Sequence, residues 1–350
     1  MTPPLDDLDP PTFQFGPEGR KRRKEQEAKD AQDAADAAPD AGAEEAPSSD
    51  DELEIPSFDE PVPGTPDQPG EDKARTGPVW QRLPFAKGET AQRVIVVIPW
   101  LVFAITIVAV GEELFMLSMI GLAVLALREL FRMTAAFAPI EIPAYLAVAA
   151  MIIAAHYATA FNILLVFAAA FPVIFFFAAR RSSLDNVTIS LAVTFFAIAW
   201  LGLGFTHAVL LRDLPDHGGA LLVDVLVATF VGDTAAYGAG RLFGSRKITP
   251  RISPNKTLEG LIGGFIGGTM GFWFAGLYQD WLPGFDALLM GMVVAAVAPI
   301  GDLFASMLKR DLSVKDTGTL FGPHGGLIDR LDAVLFTVVA GYYLAVAFVY

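Results

Sequence analysis

Residues Ser306–Asp332 read SMLKRDLSVKDTGTLFGPHGGLIDRLD. Lys309, Arg310, Asp311, Lys315, Asp316, His324, Asp329, Arg330 and Asp332 crowd into this stretch, and apolar runs of about 284–308 and 332–350 abut it on both sides. Each flanking run is long enough to cross a bilayer as a helix. Charge placed between two such runs is costly and marks either a solvated basic loop or a site.

Working back toward Val94, more apolar runs follow one another. They fall at about 94–111, 112–131, 138–157, 158–179, 187–211, 219–240 and 258–279. With the two flanking runs this predicts an all-α polytopic membrane protein of about nine transmembrane helices. The runs are too long for barrel strands and lack period-two alternation. Trp80 and Phe85, set among cations in 79–93, read as an interfacial lead into the first helix.

The basic residues predict an orientation. With residue 93 in the cytoplasm, the cytoplasmic connections hold Arg128, Arg132, Arg180, Arg181, Arg241, Arg246, Lys247, Arg251, Lys256, Lys309, Arg310, Lys315 and Arg330. The opposite side holds Arg212. This asymmetry puts the N-terminal tail and the charged loops in the cytoplasm and Tyr350 on the far side.

The net charge of −14 describes mainly the tail. Residues 1–93 carry 11 Lys and Arg against 22 Asp and Glu, while the rest carries 14 against 17. Residues 1–85 are rich in Asp, Glu, Pro and Ala and are expected to form a disordered acidic cytoplasmic tail, leaving 86–350 as the membrane-embedded domain. The basic block Arg20–Lys24 is followed at once by acid, so no nucleic-acid partner is expected. The apolar runs begin too late for a signal peptide. Without cysteine, thiolate catalysis and thiolate metal sites are excluded. With 4 His, any metal is expected on carboxylates, which favours a hard ion such as Mg²⁺.

Three polar clusters fall at the cytoplasmic ends of the later helices. Asp233 sits inside the sixth run, before Arg241. Ser253, Asn255, Lys256 and Thr257 precede the seventh, with Thr257 or Asn255 as N-cap and Glu259 in the first turn. Free N–H groups and Lys256 there suit phosphate. In the third cluster Asp302, Ser306 and Lys309/Arg310 share one helical stripe, as do Asp329 and Asp332. Pro299 is expected to kink or fray the turn beside Asp302. Gly322, Gly325 and Gly326 flank His324 and allow a tight turn. Glycines 260, 264 and 268, and 263 and 267, read as close helix–helix packing. Carboxylates for metal and cations for phosphate at the membrane boundary point to phosphoryl or nucleotidyl transfer onto a lipid.

The stretch resembles the signature of the phosphatidate cytidylyltransferases, S-x-apolar-K-R-x4-K-D-x-G-x2-F-G-x-H-G-G-apolar-x-D-R-apolar-D. It is met by Ser306, Lys309, Arg310, Lys315, Asp316, Gly318, Phe321, Gly322, His324, Gly325, Gly326, Asp329, Arg330 and Asp332. Asp233–Tyr237, Gly240–Gly244 and Ser253–Gly260 also look like that family, and the likeness covers roughly 90–350. The resemblance implies CTP and phosphatidate as substrates, with CDP-diacylglycerol and pyrophosphate as products. It implies Asp302, Asp329 and Asp332 as ligands of Mg²⁺, assisted by K⁺. It implies Lys309, Arg310, Lys315 and His324 as reacting or charge-balancing groups. Ser253, Lys256, Ser306, Asp233, Glu259, Asp316 and Arg330 fall with the substrate contacts. It also implies a homodimer in the plasma membrane. At Ala305 many members carry Glu, so no carboxylate role is expected there. A CTP-dependent lipid kinase is the nearest rival. A transporter would show internal repeats and midplane acids, and a scaffold without activity would not need the intact charged constellation.

Overall fold

The computed structural model describes residues 102–318 and 325–350. The tail, its basic block, the 79–93 segment, the start of the first run, and Phe321, Gly322 and His324 lie outside the described residues.

A helical stretch over 102–110 ends at Gly111, whose φ of 68° is left-handed. Then come α1 (Glu112–Met133), α2 (Glu141–Tyr157) and α3 (Ala160–Ala179). α4 spans Val187–Arg212 with one π turn at Ile198–Gly202, and α5 spans Gly218–Phe243. After α6 (Leu258–Gly276) come α7 (Gly284–Asp311) and α8 (Ile328–Phe348). Among the described residues, α1, α3, α4, α5, α7 and α8 are long and apolar enough to cross a membrane. The protein is therefore an all-α membrane protein in its main architecture.

Two details differ from expectation. α8 starts at Ile328, so Asp329 and Asp332 both lie in its first two turns. α7 continues through Pro299 to Asp311 without a break. One addition is a small antiparallel hairpin, β1 (Lys247–Thr249) and β2 (Ser253–Thr257), with Lys247 opposite Thr257. Pro250 stops helical continuation and suits a turn, and Pro254 is tolerated because a two-stranded ribbon has only edges.

The burial pattern is that of a helix bundle in lipid. Leu127, Leu130, Phe131, Met151, Ile152, Ile198 and Leu201 are fully buried between helices. α3 buries only Ile163, Ala170, Ile174 and Ala178, and presents Phe161, Leu164, Phe175 and Phe176 outward. Such a helix is at home against acyl chains, which are as apolar as its own side chains.

Small residues set the approach of the site helices. A Cβ added to Gly264 would stand 2.8 Å from the Cβ of Ala236, and one on Gly260 would stand 2.9 Å from the Ala236 carbonyl. α5 and α6 therefore touch backbone to backbone. Gly301 does the same between α7 and α8, facing the Asp332 carbonyl and the Ala333 Cα. That contact sets Asp302 alongside Asp332.

Candidate active site

Four helix ends and the hairpin meet at the site. Thr257 is the N-cap of α6, its Oγ1 accepting from Gly260 N at 3.2 Å. This settles the choice between Thr257 and Asn255. The extended β2 strand leads into the cap and carries Lys256. Its Nζ lies 2.5 Å from Asp302 Oδ2 on α7. The ammonium is buried and makes no aligned hydrogen bond among the described residues, so the contact is one of charge. Ser306, one turn beyond Asp302, donates to Asp302 Oδ1 at 3.3 Å.

A second ion pair lies on the adjoining helix. Lys309 Nζ donates to Asp329 Oδ1 at 2.7 Å. Asp329 Oδ2 accepts from Thr317 N at 2.9 Å, Thr317 Oγ1 at 3.0 Å and Gly326 N at 2.9 Å. Both oxygens of Asp329 are thus held by protein donors. Gly325 has φ 84°, and a Cβ there would stand 2.7 Å from Asp329 Oδ2. The glycine lets the backbone turn into α8 over the carboxylate.

Asp332 lies within Coulombic reach of Asp302, Lys309 and Asp233, and Asp233 within reach of Asp302 and Lys256. The structure so brings together Asp233, Lys256, Asp302, Ser306, Lys309, Asp329 and Asp332. It does not bring in every expected residue. Glu259 accepts from Ser245 N, Ser245 Oγ and Arg246 N at 3.0, 2.7 and 3.2 Å, so it clamps the hairpin to α6. Arg310 Nε donates to the Ile252 carbonyl at 3.3 Å, tying the end of α7 to the hairpin turn beside Ser253. Lys315, Asp316 and Arg330 are exposed.

Sequence reasoning missed Glu129 and Thr317. Glu129 is 8% exposed near the end of α1, and Thr317 is 5% exposed. Glu129 accepts from Leu327 N at 2.8 Å and Ile328 N at 3.0 Å, and its Oε2 lies 3.2 Å from Thr317 Oγ1, whose single proton is shared with Asp329 Oδ2. The signal was an acid inside an apolar run next to Arg128, where only the arginine was counted for topology.

Among the described residues no three His, Asp or Glu side chains are gathered closely enough to hold a metal by themselves. A divalent ion here would have to complete its shell with substrate phosphates and water, as Mg²⁺ usually does. The Asp302–Asp332 juncture offers such a donor set, oxygen only.

The family model described as Cytidylyltransferase family matches residues 91–348. The chain is 36% identical over 151 residues to the phosphatidate cytidylyltransferase of Mycobacterium leprae, covering 43% of this chain and 48% of that protein. It is 35% identical over 153 residues to that of Bacillus subtilis, covering 43% and 57%. For the Thermotoga maritima protein of the same name the figures are 38% over 156 residues, 43% and 58%. These alignments span about half the length of the curated relatives. The family match extends over nearly all of the membrane part, including every residue of the site described above, and the chain belongs to the cytidylyltransferase family.

Proposed function

We propose that the protein is a CTP:phosphatidate cytidylyltransferase. The observation that carries this is the pairing of two buried-side lysines, Lys256 and Lys309, with Asp302 and Asp329 where α6, α7 and α8 meet. Cations balanced by carboxylates in the resting site can take phosphate oxygens in their place.

An oxygen of the phosphatidate phosphate attacks the α-phosphorus of CTP. The new P–O bond gives CDP-diacylglycerol, and the bond from Pα to the bridging oxygen breaks, releasing pyrophosphate. The second ionisation of a phosphomonoester falls near about 6, so at neutral pH the lipid oxygen is already an anion and needs no strong base. What the site must supply is charge balance and alignment of two polyanions. Lys256 and Lys309 do so from within, Arg310 and Lys315 from the rim, with Ser253 and Ser306 as hydroxyl donors. Asp316 and Arg330 would border the triphosphate, and His324, outside the described residues, keeps the role that the resemblance implies. Asp302 and Asp332 would hold Mg²⁺, assisted by K⁺, which when bound would neutralise phosphate oxygens. Asp329 would orient Lys309 and join the metal set when Lys309 turns to phosphate. Asp233 would bound the site toward the lipid.

The same reading has nine spans, with the described helices preceded by one that begins near residue 94. It places the protein in the plasma membrane as a homodimer, with site and tail cytoplasmic, where CTP is found. The test is direct. Full-length protein in detergent with CTP, phosphatidate and Mg²⁺ is expected to form CDP-diacylglycerol and pyrophosphate in equal amounts. Absence of product with Mg²⁺ and K⁺ present, or an equal rate with a polyprenol as acceptor, overturns the reading.

A further inference from the structure

Glu129 stands on a helix that carries none of the phosphate-binding groups named above, yet its carboxylate is spent entirely on the loop that does. Its two oxygens take the backbone N–H groups of Leu327 and Ile328 at the start of α8, and Oε2 shares the Thr317 hydroxyl proton with Asp329. A buried carboxylate with two N–H donors and a shared hydroxyl is well compensated, and a helix start is where free N–H groups need an acceptor.

The glycines around it are shaped by the same carboxylate. A Cβ on Gly318 would stand 2.7 Å from Glu129 Oε1, and one on Gly326 would stand 2.5 Å from Glu129 Oε2. Gly318 and Gly326 thus form the seat into which the Glu129 side chain fits. From there the linkage runs in one direction. Thr317 donates its N–H to Asp329 Oδ2 and sets its hydroxyl between the Glu129 and Asp329 carboxylates, and Asp329 Oδ1 holds Lys309 Nζ at 2.7 Å.

We propose that Glu129 is a positioning residue: it anchors the two sides of the 318–326 loop to α1 and, through Thr317 and Asp329, aims Lys309 at the phosphate. For its effect on turnover the inference rests on the cytidylyltransferase reading. For its effect on the loop it does not.

The experiment therefore has two arms on the full-length protein in detergent. The first is hydrogen exchange of the Leu327 and Ile328 amides in wild type, Glu129→Gln and Thr317→Val. Glu129→Gln keeps one accepting oxygen and turns an amide donor toward the other of the two N–H groups, and exchange there is expected to quicken at least about tenfold with other helices unchanged. The second is turnover at saturating CTP and phosphatidate. Glu129→Gln and Thr317→Val are each expected to lower kcat about tenfold, Thr317→Ser to restore it, and the double variant to match Glu129→Gln alone. Unchanged exchange in Glu129→Gln overturns the anchoring. Additive losses in the double variant overturn the linkage through Thr317. A wild type without activity overturns the cytidylyltransferase reading while the exchange arm still decides the anchoring. Should Glu129→Gln fail to fold, Thr317→Val against Thr317→Ser carries the test.

Discussion

Lys256 and Asp302 stand 2.5 Å apart although they belong to different elements, one on the strand before α6 and the other inside α7. The pair closes the gap between the start of α6 and the carboxylate stripe on α7. Each charge is tolerated there because of the other, since an unpaired buried ion costs several kcal/mol.

Lys256→Met removes that balance and the phosphate contact together. The expected loss in kcat/KM is about 100-fold or more, with Lys256→Arg recovering only part because a planar fork does not replace a point charge. A radiolabelled CTP assay checks it. Near-wild-type turnover in Lys256→Met would remove this lysine from the site.

Asp329→Asn presents an amide where Lys309, Thr317 and Gly326 donate. Activity is expected to drop about 100-fold while the protein stays folded in detergent at a lowered melting temperature, because Lys309 is left beside an amide in place of a carboxylate. Size-exclusion profile and thermal melting check the fold. Full turnover would sink the role given to Lys309 and Asp329.

Chelation with EDTA is expected to abolish product formation, and added Mg²⁺ to restore it. Since phosphates complete the shell of this ion, the Mg²⁺ concentration needed should fall as CTP rises. A rate indifferent to EDTA would contradict the role of Asp302 and Asp332.

Gly264→Val forces α5 and α6 apart at Ala236. Overpacking of this kind costs about 1–3 kcal/mol and should lower the melting temperature and the activity together. Gly238, on α5, has open space around a Cβ, so Gly238→Ala should be neutral or stabilise by about 0.5–1 kcal/mol. Equal behaviour of the two variants would refute close packing as the reason for the glycines in α6.

Deletion of residues 1–85 is expected to leave most of the turnover, since among the described residues every charged partner named at the site lies beyond residue 128. Loss of activity in a well-folded truncated protein would make the tail part of the catalytic unit.

The amino-acid order alone determined the helical membrane class, because a bilayer demands about 20 apolar residues per span and the runs from Val94 onward supply them. It also determined the family, and it singled out the charges from which a site was expected, since charge in such surroundings is costly. It did not reveal which charges pair. Asp302 and Lys256 are 46 positions apart, and helix periodicity says nothing of which neighbouring helix faces a given stripe. That was decided by the packing of α6 on α7, where a Cβ on Gly268 would stand 2.9 Å from the Ala295 Cβ and one on Gly291 2.9 Å from the Thr269 carbonyl. The same holds for Glu259 and Glu129: both are acids near helix ends, but packing turned Glu259 onto the hairpin and Glu129 onto the loop before α8. Local spacing fixes the face of a helix on which a residue lies, and only the tertiary fold decides what that face meets.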